Sequence, residues 1–267
     1  MALKIGASEA SSAIQRARER IEKSLAQLSS GARITRAADD AAGLALSEQL
    51  NATERALAQG QRNLSDGVSL TRTAEGALGE ISEIVTRMRE LAVQAGNGAL
   101  AEGARDAVRR EFEALGSEAT RIANATEFGG RKLLNGELQG AGAVLLRDGT
   151  GSSGAVQVAL EDSSAEGLGL AGLDPADPAS LDALDAALRS VSSQRGDLGA
   201  IETRLESGLR NLESARENTA ASLSRISDAD VARSASELTR AQILEQAAVA
   251  TRAQANVSAA TALALLR

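Results

Sequence analysis

Apolar residues recur at helical spacing over long stretches of this chain, and that spacing constrains the fold more than any other feature. Near the N-terminus, Ile14, Ile21, Leu25 and Leu28 are separated by seven, four and three positions. This spacing places the four side chains along one side of a helix, as in a heptad seam. The helix is expected to end near Gly31, because glycine readily adopts the left-handed conformation that closes a helix.

The same spacing predicts further helices. Asp39 and Asp40 precede the second stretch, and either can cap a helix N-terminus because its side-chain oxygen accepts backbone N–H groups. Asn97-Gly98 is a turn signal between the second and third stretches. The apolar positions of the second, third and last stretches are Leu78, Ile81, Val85, Met88 and Ala92; Val108, Phe112, Leu115, Ala119 and Ile122; and Leu238, Ile243, Leu244, Val249, Val257, Leu263, Leu265 and Leu266.

A glycine-rich segment, residues 129–179, interrupts the helical pattern. Apolar pieces at 144–146 and 156–158 predict one or two β-hairpins within it. Asp-Pro pairs at 174–175 and 177–178 mark its end, and Ser180 is the expected N-cap of the following helix. That helix keeps a heptad frame at Ile201, Leu205, Leu212, Thr219 and Ile226.

The composition suits narrow helix–helix seams better than a sheet-based core. Aromatic residues make up 1% of the 267 residues, so Leu, Ile, Val and Ala must supply the buried surface. We therefore predict a mainly α protein, a long antiparallel helical rod (a coiled-coil-like bundle) with a small β-hairpin region. Two amphipathic ends would still expose an apolar face when paired, which indicates either a polymerising subunit or a helical bundle with frayed ends.

Little in the sequence favours catalysis or cofactor binding. The chain has no Cys and no His, which removes thiol nucleophiles, imidazole bases and zinc sites built on nitrogen or sulfur. Residues 129–132 lack the spacing of a phosphate-binding loop, and Asp39-Asp40 has no further ligand cluster around it. We expect no catalytic, cofactor-binding or metal-binding residues and no enzyme activity.

The charge and hydropathy exclude two kinds of partner. A net charge of −7 argues against a nucleic-acid-binding protein, which usually carries a basic face. No apolar run is long enough to span a bilayer. The first residues also lack the uninterrupted apolar stretch of a secretory signal peptide, so we expect either a cytoplasmic protein or export without a cleaved signal.

Several collinear motifs resemble bacterial flagellins. Six lie in the N-terminal half: 24–34 (SLAQLSSGARI), 37–47 (AADDAAGLALS), 62–70 (RNLSDGVSL), 73–78 (TAEGAL), 87–95 (RMRELAVQA) and 132–136 (KLLNG). Three lie near the C-terminus: 198–205 (LGAIETRL), 224–230 (SRISDAD) and 242–247 (QILEQA). Long motifs in a fixed order are far more specific than one short pattern. The resemblance leaves out the glycine-rich middle, which indicates a short form without large outer domains.

The resemblance implies a domain organisation and a function. The chain would be a structural subunit that polymerises head-to-tail into the flagellar filament for swimming. Residues 1–43 and 228–267 would form the inner filament core, with termini that are helical in the assembled filament. Residues 44–128 and 180–227 would form the surrounding helical rod, and 129–179 a variable hairpin segment. The expected assembly residues at the two ends are Leu25, Leu28, Ile243, Leu244, Leu263 and Leu266.

The resemblance also implies partners and a location. Besides further copies of itself, the chain would meet an export chaperone, the flagellar cap and the hook–filament junction proteins. It would reach the extracellular flagellum by flagellar type III export. In some flagellins Toll-like receptor 5 recognises the rod, and the matching positions are Arg87, Leu91 and Glu111. These three residues suit subunit packing equally well.

Two alternatives remain open on the sequence. A hook–filament junction protein shares the helical ends, but usually shows a Ser-Asp-Asp-Pro type sequence where this chain has Ala-Asp-Asp-Ala-Ala-Gly at 38–43. A cytoplasmic coiled-coil adaptor is supported by the heptads alone, and would form a dimer with well-ordered termini.

Overall fold

The computed structural model describes residues 2–98, 100–151 and 154–265, without the side chains of 2–10 and 258–265. Helices dominate this part of the chain, so the prediction of a mainly α protein is confirmed. The elements in chain order are α1 (Ala2–Ser30), α2 (Ala41–Ala95), α3 (Glu102–Ala125), β1 (Glu127–Phe128), β2 (Arg131–Lys132), a 3-10 turn (Gly140–Gly142), β3 (Val144–Arg147), β4 (Ala155–Val158), α4 (Pro178–Ser227) and α5 (Val231–Leu265).

The chain divides into two compact units. The terminal unit combines residues 1–54 with 217–267, and the central unit comprises residues 55–216. Both α2 and α4 run through a unit boundary as continuous helices. Each unit is described below by itself.

Two predicted helix ends are confirmed. The first helix ends at Ser30, and Gly31 follows with a positive φ of 70°. Asp40 caps α2, because its Oδ1 accepts a hydrogen bond of 2.8 Å from the backbone N–H of Gly43. A side chain at Gly43 would overlap the Asp40 carboxylate, so glycine suits the first turn under this cap.

The predicted N-cap at Ser180 is wrong. The helix α4 begins at Pro178, and the carboxylate of Asp177 accepts a hydrogen bond of 3.0 Å from the backbone N–H of Ala179. Proline fits the first helical position because its fixed φ is helical and it has no N–H to satisfy. Asp177 is therefore the cap, while the Ser180 hydroxyl donates to the carbonyl of Asp174.

Two antiparallel hairpins occupy the glycine-rich region. The predicted one pairs β3 with β4, in the register Val144 to Val158 and Leu146 to Val156. A smaller one pairs β1 with β2 through Gly129 and Gly130, which both have positive φ. A two-residue turn with two positive φ angles is the usual connection for a tight hairpin.

The core of the central unit is a set of heptad seams. On α4, five buried residues recur every seven positions: Leu184, Val191, Leu198, Leu205 and Leu212. On α2, Leu78, Ile81, Val85 and Met88 face the same core, as predicted. The heptad frame through Leu205 and Leu212 is confirmed, and aliphatic side chains supply nearly all of the buried bulk.

Hairpin β3–β4 packs against α2 at glycine positions. A Cβ at Gly60 would overlap the carbonyl of Asp148, and one at Gly67 would overlap the Leu146 side chain. The Asn63 amide donates a hydrogen bond of 3.0 Å to the carbonyl of Arg147. Because glycine has no side chain, Gly60 and Gly67 let the hairpin approach the helix closely.

Candidate assembly surfaces

Small residues form much of the inside of the α1–α5 pair. The two helices pack along each other, and Ala17, Ser24 and Ala241 are almost fully buried together with Ile14. Their order along the two helices, with Arg18 beside Glu245 and Ser24 beside Ala241, makes the pair antiparallel. Small side chains let two helices approach closely, but they bury little apolar area.

Several large apolar side chains of the terminal unit lie on its outside, most of them on α5. Leu25 is 49% exposed, Ile243 61% and Leu244 46%. Val249 and Val257 further along α5 are about half exposed as well. The prediction that Leu25 lies in the seam is therefore wrong, because Ser24 occupies the inward position beside it.

The remaining predicted assembly residues have different positions. Leu28 is half-buried at the end of α1. Leu266 and the side chain of Leu263 lie outside the described residues. The exposed apolar side chains therefore spread around much of α5, which is the pattern of a helix that a further partner covers.

The net charge is distributed unevenly between the two units. Acidic and basic residues balance within 1–54 and 217–267, so the whole net charge of −7 falls in residues 55–216. The Arg18 guanidinium and the Glu245 carboxylate form an ion pair of 2.8 Å across α1 and α5. A terminal unit without net charge can pack against copies of itself with little long-range repulsion.

Hydrogen bonds connect the loop of residues 31–40 to the end of α4. The Arg33 guanidinium donates two hydrogen bonds, of 2.8 and 3.1 Å, to the carbonyl of Ile226. The backbone N–H of Arg33 donates to Ser227, and that of Ala229 donates to Gly31. A cation at the last carbonyls of a helix also complements the helix dipole.

Asp39 connects the same loop internally and to α1. One of its carboxylate oxygens accepts hydrogen bonds from Thr35 and from the backbone N–H of Arg36. The other lies 2.7 Å from the Lys23 ammonium on α1. The Lys23 hydrogen bond, more than those from Thr35, lowers the pKa of Asp39 from 3.8 to about 2. The predicted structural role for Asp39-Asp40 agrees with these contacts.

Asp39→Asn should make the folded chain less sensitive to acid. A carboxylate whose pKa is lower in the folded chain stabilises it above pH 3.8, and this stabilisation is lost as the pH falls towards 2. We expect the variant to lose up to about 2 kcal/mol at neutral pH, and to show a shallower loss of stability over this acid range. Acid titration followed by circular dichroism and sedimentation measures both.

The partner variant Lys23→Met removes the ammonium and should shift acid sensitivity in the same direction. If the Asp39→Asn chain unfolds over the same acid range and with the same steepness as the parent, Asp39 does not contribute in this way.

The three candidate receptor-recognition residues lie in different surroundings. Arg87 and Glu111 are exposed and form an ion pair of 2.9 Å between α2 and α3, which raises the pKa of Arg87. Leu91 is 1% exposed and belongs to the core of the central unit. In this fold Arg87 and Glu111 are available to a partner, whereas the side chain of Leu91 is not.

Other kinds of site find little support within the described ranges. There, no group of three or more acidic side chains is placed to hold a metal ion. The helices of the same ranges include none both long and apolar enough to cross a membrane.

Two parts of the chain match models of known protein families. Residues 3–139 match the model of the bacterial flagellin N-terminal helical region, and residues 181–266 match that of the bacterial flagellin C-terminal helical region. The chain belongs to the bacterial flagellin family. The two matches cover both units and leave out part of the hairpin segment.

Curated relatives agree with this assignment. The chain is 44% identical to a flagellin of Halalkalibacterium halodurans, over 79% of each chain. It is 35% identical to flagellin FlaB1 of Treponema pallidum, over 92% of each. The prediction of a flagellin-type structural subunit is therefore confirmed at the level of the family.

A solved structure shares the fold at low identity. A protein described as a flagellar hook-associated protein from Vibrio parahaemolyticus matches with a TM-score of 0.60. It is 16% identical, and the match covers 71% of this chain and all of that one. At this identity the likeness shows the fold alone.

Proposed function

We propose that this chain polymerises into a flagellar filament through its terminal unit. The observation that carries the proposal is the inside-out distribution of apolar bulk on α1 and α5. Apart from Ile14, the described side chains that the pair buries almost completely are alanine and serine, while Leu25, Ile243 and Leu244 face outwards. Terminal units of neighbouring copies would cover these side chains and together form a dense inner layer. Contacts of this kind that do not close into a ring generate an open helical filament.

Each segment of the chain has its own layer in this filament. Residues 1–43 and 228–267 form the inner core of the filament, and 44–128 with 180–227 form the rod layer around it. The balanced charge of the terminal unit suits the inner position, and the acidic central unit suits an outer position that water and counterions screen. The described residues of 129–179 add the β3–β4 hairpin and belong to the central unit.

This function requires further partners. An export chaperone would shield the apolar face of α5 before assembly, and the filament cap and the junction proteins would contact the same ends. The filament would lie outside the cell. Exposed Arg87 and Glu111 are the residues that Toll-like receptor 5 would meet first on the rod.

A filament subunit is favoured over a junction protein. Relatives that are 35–44% identical carry flagellin names, whereas the hook-associated likeness is at 16% identity. The chain also carries Ala-Ala-Gly after Asp39-Asp40, where the Asp40 cap closes on Gly43.

The double variant Ile243→Ser/Leu244→Ser tests the proposal. About half of each side chain is still exposed, so its burial against a neighbour is worth about 0.7–1.5 kcal/mol, and the critical concentration for growth on filament seeds should rise about 10- to 100-fold. Sedimentation and electron microscopy of seeded reactions measure it.

A matched control replaces two exposed polar residues of the same helix, Gln242→Ser/Gln246→Ser, and should elongate seeds like the parent chain. Growth of the apolar variant at the parent's critical concentration would show that this face of α5 is not an assembly surface.

A further inference from the structure

The central unit carries an open groove that the core does not fill. It has a volume of about 500 Å³ and lies between α3 and the segment that leads into α4. Its apolar floor is formed by Met88, Phe112 and Leu170. Gly116 lines it from α3, and a Cβ there would meet only the methyl end of Met88, at 3.8 Å. The space above Gly116 is therefore part of the open groove.

Charge is arranged asymmetrically around the groove. At one end the Arg109 guanidinium lies 3.3 Å from the Asp174 carboxylate, so these two charges satisfy each other. Glu113 also lines the groove and is exposed. Within the described part of the chain, the ion pairs leave the Glu113 carboxylate without a basic partner. The groove therefore combines an apolar floor with a free negative charge at its edge.

Hairpin β3–β4 has the complementary arrangement. Leu145 points away from α2 and is 53% exposed, although its neighbour Leu146 is buried. Arg147 lies two positions further along β3, on the same face of the strand, and is exposed. The ion pairs of the described ranges give its guanidinium no acidic partner. This face of the hairpin thus presents one apolar side chain beside one cation.

The hairpin cannot reach the groove of its own molecule. Leu146 packs against α2 at Gly67. Met88, in the floor of the groove, lies further along the same helix, at a distance of about 30 Å for a rise of 1.5 Å per residue. An apolar side chain and a fitting groove at separate places on one molecule make a heterologous contact, which propagates from copy to copy.

Val93 is the alternative apolar side chain of the central unit. It is 55% exposed, but it lies on α2 only five positions beyond Met88, which lines the groove of the same molecule. Its cationic neighbour one turn earlier, Arg89, is already paired with Asp185 at 2.7 Å. Leu145 with Arg147 is thus the better complement to an apolar floor edged by Glu113.

We propose that the β3–β4 hairpin of one copy docks in this groove of a neighbouring copy, with Leu145 on the apolar floor and Arg147 beside Glu113. The contact rests on the proposed function, since it forms between subunits of the filament. It adds a second specific interface, formed by the central units, to the one made by the terminal units. It also assigns a role to the exposed face of the hairpin, whose buried face already packs Leu146 and Val158 into the core.

Cysteine cross-linking tests the contact directly. The natural chain has no cysteine, so Leu145→Cys/Ser117→Cys places one thiol on the hairpin and one at the groove. A disulfide forms only when the two Cα atoms come within about 7 Å. Full-length filaments of this variant, oxidised and run on a non-reducing gel, should give a ladder of dimers, trimers and larger species. Unassembled monomer should give none.

The control pair is Leu145→Cys/Ser192→Cys, with the second thiol at an exposed position of α4 outside the groove. Filaments that form normally but give no ladder, or give the same ladder with the control pair, would overturn the contact while leaving polymerisation intact. Failure of the parent chain to elongate seeds would instead overturn the proposed function.

Charge reversal provides an independent test. Arg147→Glu and Glu113→Arg each place like charges together, so each should raise the critical concentration for seeded growth by about three- to tenfold. The double variant restores the attraction and should return it to within about twofold of the parent. Single variants without effect, or a double variant worse than either single one, would contradict the pairing.

Discussion

Leu205→Ala should lower the free energy of unfolding of the central unit by about 2–5 kcal/mol, the usual cost of such a cavity. Leu205 is fully buried in the middle of the seven-residue ladder of α4, between Leu198 and Leu212. It also approaches α2 near Gly67, where a Cβ would come within 3.3 Å of it. Truncation leaves a cavity that neighbours on two helices cannot fill without moving.

Thermal and denaturant unfolding of the monomer, below its polymerising concentration and followed by circular dichroism, measures this loss. The matched control is Val93→Ala, since Val93 is 55% exposed on α2. Its loss should be at most about 0.5 kcal/mol. Equal losses for the two variants would mean that the heptad frame of α4 does not face the core.

Gly60→Ala and Gly76→Ala should change stability in opposite directions. Both glycines lie inside α2, where alanine is intrinsically favoured by about 1 kcal/mol. A Cβ at Gly60 would overlap the carbonyl of Asp148, and the backbone of the hairpin must move to avoid it. A Cβ at Gly76 meets no atom within 4 Å.

We therefore expect Gly76→Ala to stabilise the monomer by about 0.5–1 kcal/mol and Gly60→Ala to destabilise it by about 1–3 kcal/mol. Unfolding curves give both values, and hydrogen exchange of the β3 amides reports displacement of the hairpin. Stabilisation by both substitutions would show that the hairpin does not lie against Gly60.

Helical spacing predicted the central unit well. The positions of Leu78, Ile81, Val85 and Met88 specify one face of α2, and that face is the buried one. The same spacing also predicts the position of Leu91, one of the candidate receptor residues. Leu91 lies one turn beyond Met88 on the buried face, so its burial follows from the pattern alone. The resemblance offers Leu91 for receptor recognition or subunit packing, whereas periodicity places it on the buried face of α2.

The terminal unit was harder to predict because its seam uses small residues. A search for large apolar side chains places Leu25 inside, yet the close approach of α1 and α5 selects Ser24 and Ala17. Periodicity shows where apolar bulk lies on a helix, but not whether one chain or several copies bury it. The exposure of Leu25 follows from a surface that a single chain leaves uncovered.

Long-range packing of the hairpin had no sequence signal of its own. The apolar run at 144–146 predicts a strand, but nothing local places that strand against Gly60 and Gly67. Unlike the packing of the hairpin, the cap of α4 did have a signal in the sequence. Asp177 before Pro178 is a better start than Ser180, because proline favours the first helical position.

Seeded growth of the full-length chain and of residues 55–216 alone tests the central claim most directly. The trimmed chain keeps the core of the central unit but lacks α1, α5 and their exposed apolar side chains. Both would be mixed with short filament seeds and examined by sedimentation and electron microscopy. Long filaments from the full-length chain alone are the predicted result. Filaments of equal length from the trimmed chain, or none from the full-length chain, would contradict assembly through the terminal unit.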